Sequence, residues 1–255
     1  MIASLKLWED PEVHLVASGA AGLGLSDPID SNTYLVRDGH EALLVDAGAT
    51  GDIGARVRRL CEDLGVRLKW LFLTHGHADH AGGVQSIRRA CRDVQVLAGP
   101  TLVKRWDEEP DPVSLERAKR AGIYPNDFVL ERPIVDRELI GGETFTLNTL
   151  EVQALHTPGH TPEHMVYVLT GKRGARLLFS GDHVFPGGHV AIEPIPGCDV
   201  AAYADSMRML EGIDYSALFA GHLQPALTDR GNSISKALHR FDTLWLPRNL
   251  GEVLG

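Results

Sequence analysis

Short apolar runs that favour β-strands alternate with stretches that favour helices, and this alternation constrains the fold more than any other feature. The β-rich runs cover residues 13–17, 33–36, 42–45, 68–73, 94–98, 144–150, 151–155, 165–169, 176–179 and 218–220. Helical spacing predicts helices over 53–64 (stopped by Gly65), 83–91, 200–210 (capped by Asp199) and 233–246. The pattern occurs in two similar halves, which predicts layers of sheet covered by helices.

Residues 100–132 interrupt this pattern with prolines and aromatic residues, among them Trp106, Tyr124 and Phe128. A short helical stretch is predicted within the segment, near 114–121. Non-periodic insertions of this kind either cover a binding site or form surface loops without a role, and both interpretations stay open here. We predict a single domain over residues 1–255, with this segment as its lid or insertion.

The composition is that of an ordinary globular protein. The chain has 255 residues and a formal net charge of −9, with 44% hydrophobic and 23% charged residues. These values exclude a disordered chain, a coiled coil and a collagen-like repeat. The acidic balance argues against a protein that binds nucleic acid through its phosphates, and no nucleic-acid partner is expected.

Cysteine placement and hydropathy favour a cytoplasmic protein. Cys61, Cys91 and Cys198 are far apart and form no Cys-x-x-Cys pair, which is typical of reduced thiols. No apolar run approaches the roughly 18 residues of a membrane span, and the amino-terminal segment lacks the pattern of a secretion signal. We therefore expect a cytoplasmic location and no membrane association.

The strongest chemical signal follows the apolar run at 68–73. Three histidines and an aspartate, His75, His77, Asp79 and His80, lie within six residues, and a Gly-Gly turn then opens a helix. Imidazole nitrogens and carboxylate oxygens are ligands that suit Zn²⁺ and other borderline divalent ions. The sequence therefore predicts a metal site at the end of this strand.

The His-x-His-x-Asp-His element resembles the signature of the metallo-β-lactamase-fold hydrolases. Three later elements resemble that family's other ligand loops, in the same order: His156-Thr-Pro-Gly-His160, Leu178-Phe-Ser-Gly-Asp182 and Phe219-Ala-Gly-His222. The resemblance spans residues 75–222. It implies an α/β fold, a four-layer αββα sandwich in which two mixed sheets pack face to face and the ligands meet at one edge.

The resemblance also implies two divalent metal ions per chain, with Zn²⁺ favoured and Fe or Mn as alternatives. The implied ligands all stand at the ends of apolar runs beside glycine or proline, where side chains from different strands can converge. One ion would be held by His75, His77 and His160. The other would be held by Asp79, His80 and His222, with Asp182 bridging both.

The family's mechanism implies a metal-bridging hydroxide that attacks the carbonyl of a small ester, thioester or lactone. Asp79 is the candidate catalytic residue, because one carboxylate oxygen can bind metal while the other accepts and returns a proton. A small molecule is the only partner that this chemistry implies, and the sequence indicates no oligomeric state.

Comparison with subfamilies of these hydrolases favours a thioesterase over a lactonase. Lactonases of this superfamily usually carry a tyrosine three residues after the bridging aspartate, where this chain has Phe185, and residues 181–185 resemble glyoxalase II-like thioesterases more closely. Two alternatives to a hydrolase stay open. One is a persulfide dioxygenase-like enzyme with a single iron, and the other is a metal-binding protein without catalysis.

Four further histidines lie near the predicted ligands. His156 and His164 flank the ligand in their own loop and are candidates for side chains that orient it. His183 directly follows the bridging aspartate, and His189 lies in a glycine-rich loop. Both are candidates for substrate contact or for loop packing.

Overall fold

The computed structural model describes residues 4–111 and 113–254. The predicted domain limits at residues 1 and 255, and Pro112 of the 100–132 segment, lie outside the described residues. Within the described ranges, no helix combines the length and apolar character needed to cross a bilayer.

The first sheet has seven strands whose order in the sheet is their order in the chain. They are β1 (Leu5–Glu9), β2 (Glu12–Ala17), β3 (Thr33–Asp38), β4 (Glu41–Val45), β5 (Arg67–Phe72), β6 (Gln95–Ala98) and β7 (Arg137–Glu138). Strands β1 to β4 pair antiparallel, whereas β4 to β7 pair in parallel. Parallel neighbours end at the same edge, and the segments that follow β4 and β5 therefore start side by side.

The second sheet has five strands in the order β12-β11-β10-β9-β8. They are β8 (Thr144–Leu147), β9 (Leu150–His156), β10 (Met165–Thr170), β11 (Arg176–Gly181) and β12 (Ala217–Ala220). All neighbours pair antiparallel except β11 and β12, which are parallel. Both sheets are thus mixed, as predicted.

Helices connect and cover the strands. Those in the described residues are α1 (Ile53–Leu64), α2 (Ala78–Ala81), α3 (Val84–Ala90), α4 (Leu102–Glu108), α5 (Leu115–Arg120), α6 (Val200–Leu210), α7 (Asn232–Asp242) and α8 (Leu250–Leu254). The 100–132 segment contains α4 and α5, of which the sequence analysis predicted only the second.

The two sheets pack face to face with helices outside. Successive side chains of a strand point to opposite faces, so that Tyr34 and Val36 of β3 lie between the sheets while Leu35 faces the helices. Side chains of α1 and α3 complete the apolar cluster outside the first sheet, and those of α6 and α7 complete the cluster outside the second. These layers confirm the predicted αββα sandwich.

Two predicted helix ends are confirmed. Gly65 closes α1 in the left-handed conformation, with φ at 64°. Asp199 caps α6, because its side chain accepts hydrogen bonds from the amides of Ala201 and Ala202.

The predicted end of the last long helix was wrong. The helix expected over 233–246 ends four residues earlier, at Asp242. The hydroxyl of Thr243 bonds the carbonyl of His239 in the last turn, and Leu244 then takes a φ of 62°. A left-handed residue cannot continue a right-handed helix.

The apolar run at 144–150 is two strands rather than one. Asn148 has a φ of 51° and turns the chain between β8 and β9. Asparagine tolerates this left-handed conformation better than most residues, which makes it a turn signal inside an otherwise β-rich run.

Phe179 lies at the centre of the core between the sheets and is fully buried. Its ring stacks on Phe219 with centroids 4.8 Å apart and meets Tyr34 edge-on at 5.5 Å. Aromatic contacts of both kinds therefore join β3 of the first sheet to β11 and β12 of the second.

Phe179→Ala is expected to lower the free energy of unfolding by about 3–5 kcal/mol, because the truncated side chain leaves a cavity in this core. Chemical denaturation followed by circular dichroism measures the change. Met209→Ala on α6, where the side chain is 47% exposed, is the matched control and should change stability by less than about 1 kcal/mol. Equal losses for the two variants would contradict the packing described.

Candidate metal centre

All seven predicted ligands follow the carboxyl ends of strands. His75 and His77 follow β5, Asp79 and His80 lie on α2 directly after them, His160 lies between β9 and β10, Asp182 follows β11, and His222 follows β12. The structure brings these residues into one cluster. Their ligand atoms form three overlapping groups, in each of which all atoms lie within 4.8 Å of one another.

The first group consists of three histidines, His75, His77 and His160. Their ring centroids are 4.6–4.8 Å apart, and each pair of rings meets nearly at right angles. Nδ1 of His77 lies 3.1 Å from Nε2 of His160. Three imidazole nitrogens in this arrangement match the donor type and number of a zinc site with an open position.

The second group consists of Asp79, His80 and His222. Oδ2 of Asp79 lies 3.1 Å from Nε2 of His222 and 3.5 Å from Nε2 of His80. The same carboxylate oxygen therefore faces both imidazoles of this group.

Asp182 lies between the two groups. Its Oδ1 is 3.4 Å from Nε2 of His80, and its Oδ2 is 3.4 Å from Nε2 of His222 and 3.8 Å from Nε2 of His160. One carboxylate is thus in reach of histidines from both groups, which is the position that a shared ligand requires.

Hydrogen bonds on the outer ring nitrogens turn the ligands toward the cluster. Nδ1 of His80 lies 2.8 Å from Asp46 Oδ2, and Nδ1 of His160 lies 2.8 Å from the carbonyl oxygen of Ala191. Nδ1 of His75 contacts the hydroxyl of Thr74 at 3.0 Å. Each contact directs Nε2 inward, as in metal sites where an outer partner fixes the imidazole.

Three of the inward atoms have no hydrogen-bond partner in the part of the chain that the structure describes. Nε2 of His75, Nε2 of His80 and Oδ1 of Asp182 are buried and have no hydrogen-bond partner among the described residues. Buried polar atoms are normally satisfied, and leaving one unpaired costs about 1–3 kcal/mol. The three atoms belong to one of the compact groups, so the donor set fits a divalent cation.

The electrostatics of the cluster favour a cation. Burial holds the pKa of His75 well below its usual value and that of His77 at about 3, so both imidazoles are neutral donors. Burial also opposes charge on His222, but the carboxylates of Asp182 and Asp79 outweigh it and raise its pKa to about 10. The carboxylates therefore attract positive charge to the cluster.

Asp46 was missed by the sequence analysis. Its carboxylate is buried, contacts His80 and accepts the amide N–H of Thr74 at 2.8 Å, and its φ is 61°. The signal was present, since Asp46 follows the apolar run at 42–45 beside Gly48, as the ligands follow theirs. The sequence analysis assigned only the β-rich run at 42–45 to this part of the chain.

His164 supports Asp182 rather than the ligand of its own loop. Its Nε2 accepts the amide N–H of Asp182 at 3.2 Å, and its Nδ1 bonds the hydroxyl of Thr157 at 2.9 Å. Nε2 of His156 lies 2.8 Å from a backbone carbonyl in the same loop. His164 therefore holds the backbone of Asp182, and His156 holds the backbone of the loop that carries His160.

The two remaining histidines differ in burial. His183 is fully buried, and its ring lies flat against Tyr203 with centroids 4.4 Å apart. Burial lowers the pKa of His183 to about 3, and neither ring nitrogen has a hydrogen-bond partner among the described residues. These observations favour packing for His183. His189 lines a cavity of about 730 Å³ beside α7, together with Lys236 and Arg248.

The 100–132 segment reaches the cluster through Tyr124. The hydroxyl of Tyr124 donates to Oδ1 of Asp79 at 2.8 Å, and the ring stacks on Phe128 at 5.3 Å. Burial and the Asp79 carboxylate raise the pKa of Tyr124 well above its usual value, which keeps the phenol protonated. Trp106 instead packs against the apolar cluster outside the first sheet.

The sequence also matches a known protein family, and that match agrees with the fold and the site geometry. A family model described as the metallo-beta-lactamase superfamily matches residues 26–222. This chain belongs to that superfamily.

Curated proteins that resemble this chain include thioesterases. Thioesterase pkgB of Emericella nidulans is 28% identical over 193 residues, which cover 75% of this chain and 45% of the relative. An atrochrysone carboxyl ACP thioesterase of Aspergillus fumigatus is 25% identical over 193 residues, covering 75% of this chain and 37% of the relative. The chain therefore spans less than half the length of each.

A solved structure is also similar to this chain. The crystal structure of TTHA1623 in a di-iron-bound form has a TM-score of 0.59 and 28% sequence identity to this chain. The match covers 77% of this chain and 89% of TTHA1623.

Gly221 allows the loop after β12 to approach the other ligand loops. A Cβ at this position would overlap Oδ1 of Asp182 and lie 2.5 Å from Cε1 of His80. Neither neighbour is the end of a long flexible side chain. The close approach of Asp182 and His80 to this backbone position therefore requires glycine before His222.

Gly221→Ala is expected to weaken metal binding about 10–100-fold, the range found when groups that orient ligands are disturbed. Titration of metal-free protein with Zn²⁺ against a competing chelator measures the affinity. Gly51→Ala is the control, because within the described residues no atom other than those of Gly51 and its two chain neighbours lies within 4 Å of a Cβ added there. Wild-type affinity in Gly221→Ala would show that the close approach is not required.

Proposed function

We propose that the chain is a metal-dependent hydrolase of a small thioester or ester. The observation that carries this proposal is the set of inward ligand atoms on His75, His80 and Asp182 without hydrogen-bond partners among the described residues, within a cluster of seven predicted ligands. The thioesterase names of the superfamily relatives support the reaction class. The three cysteines are free thiols, and we propose a cytoplasmic location in agreement with that state.

Two divalent ions are proposed, with Zn²⁺ favoured and Fe or Mn as alternatives. One would be held by His75, His77 and His160, and the other by Asp79, His80 and His222, with Asp182 shared. When bound, such ions lower the pKa of a coordinated water and polarise a substrate carbonyl.

Asp79 is proposed to transfer the proton of the attacking water to the leaving group. Its Oδ2 faces His222 and His80, while its Oδ1 accepts a hydrogen bond from Tyr124. A carboxylate oxygen has two lone pairs, so Oδ1 can hold the phenol and still take a proton from the attacking water. Asp79 would then return that proton to the leaving group.

The surroundings of the site favour an open thioester or ester over a lactone. Phe185 stands where lactonases resembling this chain carry a tyrosine, and it is fully buried 6.2 Å from the ring of His222. It offers no hydroxyl to a substrate. The 100–132 segment is proposed to border the substrate, because Tyr124 reaches Asp79 and the neighbouring Ile123 and Val129 are exposed apolar side chains.

Metal removal combined with a substrate panel tests this function. We expect about two metal ions per chain by elemental analysis, and hydrolysis of short-chain thioesters that a chelator abolishes and Zn²⁺ restores. A single tightly bound iron with oxygen-dependent turnover would establish the dioxygenase instead. Bound metal without turnover of thioesters, esters or lactones would leave only a metal-binding protein.

Asp79→Asn is expected to lower kcat by roughly 10²–10⁴-fold with a smaller change in KM, because the amide keeps the size of the side chain but accepts no proton. Metal content must be measured in the same preparation, since a lost ion would mimic a lost base. A fully metallated variant with near-normal kcat would leave Asp79 as a ligand without a role in proton transfer.

A further inference from the structure

The 100–132 segment is attached to more than one ligand loop. Nη1 of Arg105 lies 2.5 Å from Oε2 of Glu163, a fully buried residue whose Oε1 accepts the amide N–H of Gly76 at 3.2 Å. Nη1 of Arg117 donates to the carbonyl of Pro194 at 2.6 Å. The segment is thereby held against the loops that carry His75 and His160, and against the stretch that follows Asp182.

Tyr124 makes two hydrogen bonds to a single residue of the cluster. Its hydroxyl donates to Oδ1 of Asp79 at 2.8 Å and accepts the backbone N–H of the same Asp79 at 3.2 Å. The side chain is only 8% exposed, and Phe128 stacks on its ring at an interplanar angle of 19°. The hydroxyl is therefore fixed both by its partner and by the packing of its ring.

Because of the hydrogen bond from Tyr124, the two carboxylate oxygens of Asp79 have different partners. Oδ1 faces the phenol, and Oδ2 faces His222 at 3.1 Å and His80 at 3.5 Å. The terminal torsion of an aspartate is broad and does not by itself select which oxygen points where. A donor on one oxygen supplies that selection.

We propose that Tyr124 is a positioning residue that holds the Asp79 carboxylate with Oδ2 turned toward the metal ligands. The proposal rests on the hydrolase proposed above for its kinetic consequence, but the orientation of Asp79 can be observed without turnover. A role in packing alone predicts no effect of the hydroxyl on the metal centre. Positioning requires such an effect.

The chain supplies a matched control in Tyr215. This residue is also buried, and its hydroxyl donates to a carboxylate oxygen of Asp229 at 2.6 Å. It precedes the amino end of β12, whereas His222 follows the carboxyl end of that strand. Tyr215→Phe thus removes a phenol–carboxylate hydrogen bond without touching the cluster.

The test compares Tyr124→Phe with Tyr215→Phe after metal-free protein is loaded with Co²⁺, whose visible absorption reports the ligand geometry. We expect Tyr124→Phe to bind Co²⁺ with an altered spectrum, while Tyr215→Phe keeps the wild-type spectrum. With the thioester that wild-type protein hydrolyses, kcat of Tyr124→Phe should fall roughly 10–100-fold, as for a lost hydrogen bond to a charged group, with KM nearly unchanged.

An unchanged Co²⁺ spectrum in Tyr124→Phe would overturn the proposal, even if kcat fell. The same spectral change in Tyr215→Phe would also overturn it, because the effect would then belong to core packing. If Tyr124→Phe fails to fold, Tyr124→Leu removes the hydroxyl and Phe128→Leu removes only the stacked ring. An altered spectrum in Tyr124→Leu alone would support positioning, and a wild-type spectrum in Tyr124→Leu would overturn it. An altered spectrum in Tyr124→Phe without turnover by wild-type protein would support positioning and reject the hydrolase.

Discussion

The buried carboxylate of Asp46 ties two of the predicted metal ligands to the end of β4. It contacts Nδ1 of His80 directly, and through the amide and hydroxyl of Thr74 it holds the residue that contacts His75. A buried carboxylate is stable only when its oxygens are paired, and here the pairing partners belong to the ligand loop itself. The inward direction of both Nε2 atoms depends on this one side chain, which binds no metal in the proposed scheme.

Hydrogen bonds from two buried tyrosines join the sheets near the strand ends that carry the predicted ligands. Tyr34 of the first sheet donates its hydroxyl to the carbonyl of Ala220, the last residue of β12. Tyr167 of the second sheet donates to the carbonyl of Leu73, directly after β5. Each tyrosine is buried in the core, and each reaches the backbone just before a ligand loop of the opposite sheet. The separation of the ligand loops is therefore set by the packing between the sheets.

The clustering of the seven predicted ligands could be expected from the family resemblance and from a local signal that each residue carries, a polar side chain at the end of an apolar run beside glycine or proline. Their partners carried weaker signals. Asp46 contacts His80, which lies 34 residues later in the chain, and Tyr124 contacts Asp79, which lies 45 residues earlier. Neither contact can be predicted from local spacing. The alternation of strands and helices predicted layers of sheet covered by helices, and the family resemblance implied the αββα arrangement. The turn at Asn148 and the early end of α7 depended on single residues with positive φ, which periodicity does not register.

The placement of the ligands along the chain has a consequence for folding during synthesis. The histidine group is complete once residue 160 has been made, whereas the group with Asp79 and His80 needs His222 from the last strand of the second sheet. Chains emerge from their amino terminus, and early segments can begin to fold before later ones exist. In the proposed metal scheme, the three-histidine group is therefore complete in the growing chain before the group that contains Asp79 and His80.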